Sequence, residues 1–344
     1  MGRIRTRVTS REVAAAAGVS PATVSLVVRE SPLVKASTRE RVQEVIARLG
    51  YRSHAAAAAL RSARSRTLGY LVPEMIDPAQ DVFRHQLLSA MTTRAHASDY
   101  YVLVDTFVQS TRALPLVTGG RIDGILADFF VPDAVLADLI ARDIPVVLVG
   151  RDSDTKGVSW VKADETDGAR EATRHLLGQG HRRIGLIAAG EEGNNDIVRA
   201  RLDGFRQALA EAGVPIMPEF VAHSRDFTFE SGCALGHSLL DRRSRPSALF
   251  VFNETLAAGV LKAARQLHIR VPEDLAIATT EDSPWVGYIW PELTAVHVPM
   301  RDVGTRATEM LLALLDDPSS APLHEILPTT LVIRASSEPA LAQH

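Results

Sequence analysis

Residues 1–66 of this 344-residue chain carry thirteen Lys or Arg against four Asp or Glu, while residues 67–344 carry twenty-five against thirty-seven. Guanidinium and ammonium groups at that density are chemistry for a polyanion, and the acidic remainder is built for something else. A solvated basic tail would hold the same charge, so the pattern within the head has to decide. No catalytic constellation stands out elsewhere. Gly190-Glu191-Glu192-Gly193 is too sparse for a dinucleotide-binding turn, and no Gly-x-x-x-x-Gly-Lys-Ser/Thr run occurs. His181 in QGHRRIG is a lone histidine at a strand entrance, a structural position. The single cysteine, Cys233, excludes an internal disulfide and reads as a small buried residue. The expectation is a protein that is not an enzyme, with no cofactor and no metal.

The elements that position the basic groups are helices. Thr9-Ser10-Arg11-Glu12 has the form of a capping box, and Ser10 to Ala17 follows as a helix with Val13, Ala14 and Ala17 on one face. Gly18 stops it, and Ser20-Pro21 restarts a helix with a hydroxyl cap and a proline at the first helical position. Val24, Val27 and Val28 are expected to pack back on the first helix. A third helix runs from about Ser37 to Leu49 with Val42, Val45, Ile46 and Leu49 inward, and Gly50 ends it. Helix, glycine turn, helix and supporting helix is the layout of a helix-turn-helix unit.

The run VTSREVAAAAGVSPATVSLVVRESPLVKASTRERVQEVIARLGYR resembles the DNA-binding headpiece of the lactose/galactose repressor family, through the blocks EVAAAAGVS, ATVS, TRERV and LGYR. The resemblance implies that the second helix lies in the major groove. It puts Pro21, Ala22 and Leu26 at base-reading positions, Ser20, Thr23 and Ser25 near phosphates or base edges, and Arg29 and Tyr51 among the DNA contacts. Leu26 departs from the arginine usual in the family. An arginine fork reads guanine, whereas leucine offers only apolar contact, for example to a thymine methyl. The segment Tyr51 to Arg61 corresponds to the family's hinge, which folds on cognate DNA. There the resemblance assigns His54, Ala57, Leu60 and Arg61 to the minor groove, with Leu60 as the wedge between base steps. Ser53-His54 replaces the usual Pro-Asn, and five consecutive alanines lower the cost of helix formation.

From Thr67 onward short apolar runs alternate with helical patterns. The expected strands are Leu68–Val72, Tyr101–Asp105, Gly124–Ala127, Pro145–Val149, Ile184–Ala188, Ala248–Phe252 and Leu275–Ala278, and a sample helix is Asp167–Gln179. Near-continuous apolar strands alternating with helices mean parallel sheets covered on both faces. Two similar halves would face each other across a cleft at the carboxyl ends of their strands. This region also resembles the family's effector-binding core, a periplasmic-binding-protein-like fold. The resemblance assigns effector contacts to Arg201 in ARLDGF, Phe227 ahead of Ser231-Gly232, Asn253 in LFVFNETLAAGVL and Glu281 in TTEDSPW. A carboxylate accepts from vicinal hydroxyls, a guanidinium donates to two oxygens, and an aromatic face covers the C–H side of a sugar ring. Three departures bear on the ligand. Glu281 replaces an aspartate, Gly150-Arg151 replaces a carboxylate, and Asp77-Pro78 is followed by Ala79-Gln80 instead of an aromatic pair. An added Arg151 with fewer aromatics points to an acidic or phosphorylated sugar.

The composition, 46% apolar and 23% charged, is that of a globular protein and excludes a collagenous or disordered chain. No apolar run reaches the ~20 residues that cross a bilayer, and the first twenty residues lack a signal-peptide core, so a cytoplasmic protein without membrane contact is expected. The fold expected is an N-terminal all-α helix-turn-helix headpiece (1–53), a hinge (54–66), and an α/β periplasmic-binding-protein-like core of two parallel-sheet subdomains (67–344). One subdomain takes about 67–166 and 297–325, the other about 167–296 and 326–340. The function expected is a sequence-specific transcriptional regulator, a repressor, binding a near-palindromic double-stranded operator under control of a sugar-like effector. The short stretch after LPTTLVIRASSE favours a homodimer over a tetramer. A DNA-binding regulator without effector control is the alternative, and a sugar-binding protein of transport type stands further off.

Overall fold

A computed structural model of the chain describes residues 8–28, 31–51, 64–73, 82–107, 121–190 and 196–338. Two compact units divide it, Met1–Arg66 and Thr67–His344.

The first unit holds α1 (Ser10–Ala17), α2 (Pro21–Val28) and α3 (Ala36–Leu49). The capping box is complete: the Thr9 hydroxyl accepts from the Glu12 amide at 3.3 Å, and Glu12 Oε2 accepts from the Thr9 amide at 2.6 Å. Gly18 and Gly50 end α1 and α3 at φ of +61° and +63°, a conformation that costs other residues about 1–2 kcal/mol. Ser20 Oγ accepts from the Thr23 amide at 3.1 Å and starts α2. Val13, Ala14, Ala17, Val24, Val27, Val42 and Val45 are buried together, with Leu26, Ile46, Leu49 and Tyr51 packed at the margin. Val28 departs from expectation. It is the last residue of α2, at the edge of the inward face, and stays exposed.

The second unit runs β1 (Thr67–Pro73), α4 (Val82–His96), β2 (Tyr101–Phe107), β3 (Gly124–Asp128), α5 (Asp133–Ala141), β4 (Val146–Val149) and β5 (Ser159–Ala163). Then follow α6 (Glu165–Gly178), β6 (Ile184–Ala189), α7 (Asp196–Glu211), β7 (Val221–Ser224), α8 (Phe229–Leu240), β8 (Ala248–Val251), α9 (Glu254–Gln266) and β9 (Ala276–Thr280). The chain continues with β10 (Thr294–His297), α10 (Met300–Asp316), β11 (His324–Leu327) and β12 (Thr330–Val332). Two six-stranded sheets result, ordered β11-β5-β4-β3-β1-β2 and β12-β10-β9-β8-β6-β7. Among the described residues every strand pairing is parallel except β10 with β12.

The inner strands are apolar runs buried on both faces, as parallel sheets require: VVLV in β4, IGLIAA in β6 and ALFV in β8 have no exposed residue. All seven expected strands are present. β5, β7, β10, β11 and β12 were not expected. They lie at or next to sheet margins and mix polar with apolar residues, and β5 alternates in burial along SWVKA. The chain crosses between sheets at α6, between β10 and α10, and after Leu327, two residues beyond the expected 325. α6 starts at Glu165, earlier than the expected Asp167, because the Asp164 carboxylate accepts from the Asp167 amide at 2.9 Å and caps the helix there.

Candidate functional site

At the carboxyl edge of the second sheet, α7 rests on α6 at Gly204. A Cβ there would overlap the Thr166 carbonyl oxygen and sit 2.9 Å from Ala169 Cβ. The close approach places Arg201, one turn earlier on α7, against Glu165 at the start of α6. Arg201 Nε donates to Glu165 Oε2 at 2.8 Å, both terminal nitrogens reach Glu281 Oε1 at 3.2 Å, and Nη1 also donates to the Phe252 carbonyl. Burial alone would lower the Arg201 pKa, but Glu165 and then Glu281 more than offset it, so the guanidinium is held charged.

Glu281 directly follows β9 at φ +71°. Strain of this kind in a non-glycine residue persists only where surrounding contacts hold it. Two contacts hold it: Arg201 grips the side chain, and the next residue, Asp282, accepts from Arg334 at 2.6 Å. Ser283 donates through its amide and hydroxyl to buried Glu254 at 2.9 and 2.6 Å. Burial raises the Glu254 pKa, and the Ser283 hydrogen bonds oppose that rise.

Asn253 is buried beside the Phe252 carbonyl that Arg201 reaches. Its Oδ1 caps α9, accepting from the Leu256 amide at 2.9 Å, so it has a structural duty that the sequence reading did not assign. Phe227 is 40% exposed, with its ring tip 3.8 Å from where a Cβ at Gly190 would lie. The structure thus joins Arg201 to Glu281 directly, sets Asn253 next to them, and leaves Phe227 at the β6–β7 end of the same edge.

The carboxyl edge of the first sheet holds a cluster that the sequence reading missed. Asp128, fully buried at the end of β3, accepts from Arg84 Nε at 2.7 Å, from Arg84 Nη2 at 3.3 Å and from the Tyr70 hydroxyl at 3.1 Å. The Arg84 guanidinium lies 4.7 and 5.3 Å from the ring centres of Phe129 and Phe130, and Phe83 meets Phe129 edge-on. A carboxylate closing an otherwise apolar strand and followed by two phenylalanines was the available signal.

Arg151 overturns an expectation. Its guanidinium donates to the carbonyls of Phe129, Val131 and Asp152 at 2.9, 2.8 and 2.7 Å, and to Asp133 at 2.7 Å. It also lies 3.7 Å from Asp196 at the head of α7. Four donor directions serve loop carbonyls and one carboxylate, so Arg151 is a brace between loops and gives no ground for an acidic ligand. The aromatic wall of Phe83, Phe129 and Phe130 likewise removes the argument from missing aromatics.

Ser20, just before α2, and Pro21 and Ala22 in its first turn are exposed, while Thr23, Ser25 and Leu26 on α2 and Tyr51 after α3 are half-buried. Arg29, His54, Ala57, Leu60 and Arg61 lie outside the described residues. Among the described residues, no cluster of three His, Cys, Asp or Glu is placed to hold a metal ion, and no helix is long and apolar enough to cross a membrane.

A cationic helix-turn-helix unit followed by two parallel sheets, with polar clusters at their strand ends, defines a DNA-binding protein with a ligand-binding core. Residues 9–54 match the family model for bacterial regulatory proteins of the lacI family, and residues 173–337 match a periplasmic binding protein-like domain. The HTH-type transcriptional regulator DegA of Bacillus subtilis is 30% identical over 97% of this chain and 99% of its own length. The chain belongs to the lacI family. The solved complex of the transcriptional regulator CelR with cellobiose is 29% identical over 96% of this chain and 100% of that one, with a TM-score of 0.71. The lac repressor dimer bound to operator and the anti-inducer ONPF, 24% identical over 96% of this chain and 99% of that one, shares the fold with a TM-score of 0.86.

Proposed function

We propose that the protein is a cytoplasmic homodimeric transcriptional repressor whose affinity for a near-palindromic operator is set by a sugar in the core. The observation that carries the reading is the pairing, in one chain, of a capped cationic helix-turn-helix unit with the strained Glu281 clamped by buried Arg201. In this reading Glu281 and Asn253 meet sugar hydroxyls from one sheet, and Arg84, oriented by buried Asp128, meets them from the other. Phe227 and Phe130, both exposed, offer faces to the ring. Arg201 acts by fixing Glu281, since most of its donors already serve Glu165, Phe252 and Glu281. The cellobiose complex of CelR supports a neutral ligand over an acidic one. An edge strand with exposed Tyr101, Leu103 and Val104 supports a second copy as partner, as in the lac repressor dimer.

Ligand in the core and operator at the head must be reciprocally coupled, each altering the other's affinity by the same factor. The test is a titration of duplexes selected from a random pool, repeated with neutral and acidic mono- and disaccharides at several salt concentrations. A steep salt dependence and a shift of operator affinity by one neutral sugar are expected. Salt-sensitive binding that no sugar shifts would leave a regulator without effector control.

A further inference from the structure

α2 presents an unusual face for a DNA-reading helix. Its sequence, PATVSLVV, contains no arginine, lysine, asparagine, glutamine, aspartate or glutamate. Val24 and Val27 are buried, and at 100° per residue the opposite face is formed by Ala22, Ser25 and Leu26. Ala22 is exposed, and Leu26 touches the headpiece core at its margin while keeping part of its surface outside. The hydroxyls at the start of the helix face each other: Ser20 Oγ lies 2.9 Å from Thr23 Oγ1 and also accepts from the Thr23 amide.

Bidentate reading of guanine or adenine needs a guanidinium, ammonium or amide group, and α2 offers none. The base-edge feature in the major groove that apolar side chains can recognise is the thymine C5-methyl. We propose that α2 reads operator half-sites through thymine methyl groups packed against Ala22 and Leu26, so that A·T pairs stand at those positions. This rests on the DNA-binding reading given above and specifies the chemistry that α2 selects. 5-Methylcytosine, which carries the same methyl in the same groove, is the substitute such a surface accepts.

The experiment uses the full-length protein and the duplex it selects from a random pool. Deoxyuridine replaces thymidine one symmetric pair at a time, which removes the methyl and keeps base pairing. An affinity loss of about fourfold per methyl, or about 15-fold per symmetric pair, is expected, the fold-change equivalent to re-exposing one methylene-sized group. Leu26→Ala is expected to cancel the effect of deoxyuridine at one symmetric pair and to leave it at the others, a coupling that a mere loss of headpiece stability would not produce. At that pair, 5-methylcytosine in place of cytosine is expected to strengthen binding to a G·C variant. Sequence-specific binding indifferent to deoxyuridine at every position overturns the inference and leaves the DNA-binding reading standing, as does a selected half-site with G·C at both positions. Absence of salt-sensitive binding to any duplex overturns the reading itself.

Discussion

Arg201 Nε and Glu165 Oε2 lie 2.8 Å apart, with 3% and 5% of their side chains exposed. The pair joins α7 of one sheet's cover to the first residue of the crossover helix α6. A buried ion pair adds little net stability over apolar replacements, yet breaking it by removing one partner costs about 3–5 kcal/mol. Glu165 Oε1 has no hydrogen-bond partner among the described residues, which deepens that asymmetry. Arg201→Ala is therefore expected to lower the unfolding midpoint of the core in urea, while Arg201→Met combined with Glu165→Leu recovers most of the loss. A single mutant as stable as the double would mean that the pair is not desolvated.

Gly204 is what lets these two charges meet. Gly204→Ala puts a methyl group onto the Thr166 carbonyl and the Ala169 side chain, and overpacking of this kind costs about 1–3 kcal/mol. The expected outcome is a lower core melting temperature and weaker coupling between sugar and operator, with headpiece melting unchanged. Gly178→Ala, at the other end of α6 with nothing within 4 Å of the new Cβ, is the matched control and is expected to be neutral.

The distribution of what could be read from the sequence follows from range. α1 was legible to its last residue because its determinants, Thr9, Glu12 and Gly18, are neighbours in the chain. The inner strands were legible because burial on both faces leaves an unbroken apolar run. β5, β7 and the strands after β9 were not, since each mixes polar with apolar residues and its apolar run is too short to stand out before pairing brings it into a sheet. At the site, Arg201 and Glu281 were legible as separate residues through family resemblance. Their union was not, because 36 and 80 residues separate Arg201 from its two partners. Arg151 shows the reverse failure: a charge next to a strand end suggests a ligand contact, and only the positions of three loop carbonyls reveal a brace.

Asp128→Asn tests the first sheet's contribution. The amide keeps the shape of the carboxylate but withdraws the charge that orients Arg84, so the guanidinium loses its fork partner between Phe129 and Phe130. Breaking such a buried pair by neutralising one partner costs about 3–5 kcal/mol of core stability, and it frees Arg84 from the position in which it would meet the sugar. Sugar affinity, read by calorimetry, is expected to fall by at least tenfold, with operator affinity in the absence of sugar unchanged. Unaltered sugar affinity would move the ligand away from β3.

The acid side of the stability profile is set first by two histidines. His175 Nε2 lies 2.7 Å from Ser337 Oγ and His181 Nδ1 lies 3.0 Å from Ser247 Oγ. Burial lowers both pKa values below the ordinary 6.5, and the neighbouring His175 charge adds to the shift at His181. In the unfolded chain these rings take up protons near pH 6.5 while the folded core resists, so protons favour unfolding as pH falls through that value. Glu254 works in the opposite direction. Its raised pKa means that its protonation adds stability as pH falls, and Glu254→Gln isolates the histidine effect. Carboxylates with lowered values, such as Asp152 and Asp226, lose their contribution only near and below their ordinary 3.8. In the Glu254→Gln background the core melting temperature is expected to be flat well above the ordinary histidine pKa of 6.5 and to drop as pH falls below it. His175→Gln with His181→Gln should flatten that drop; persistence of the full slope in the triple variant would assign it to other groups.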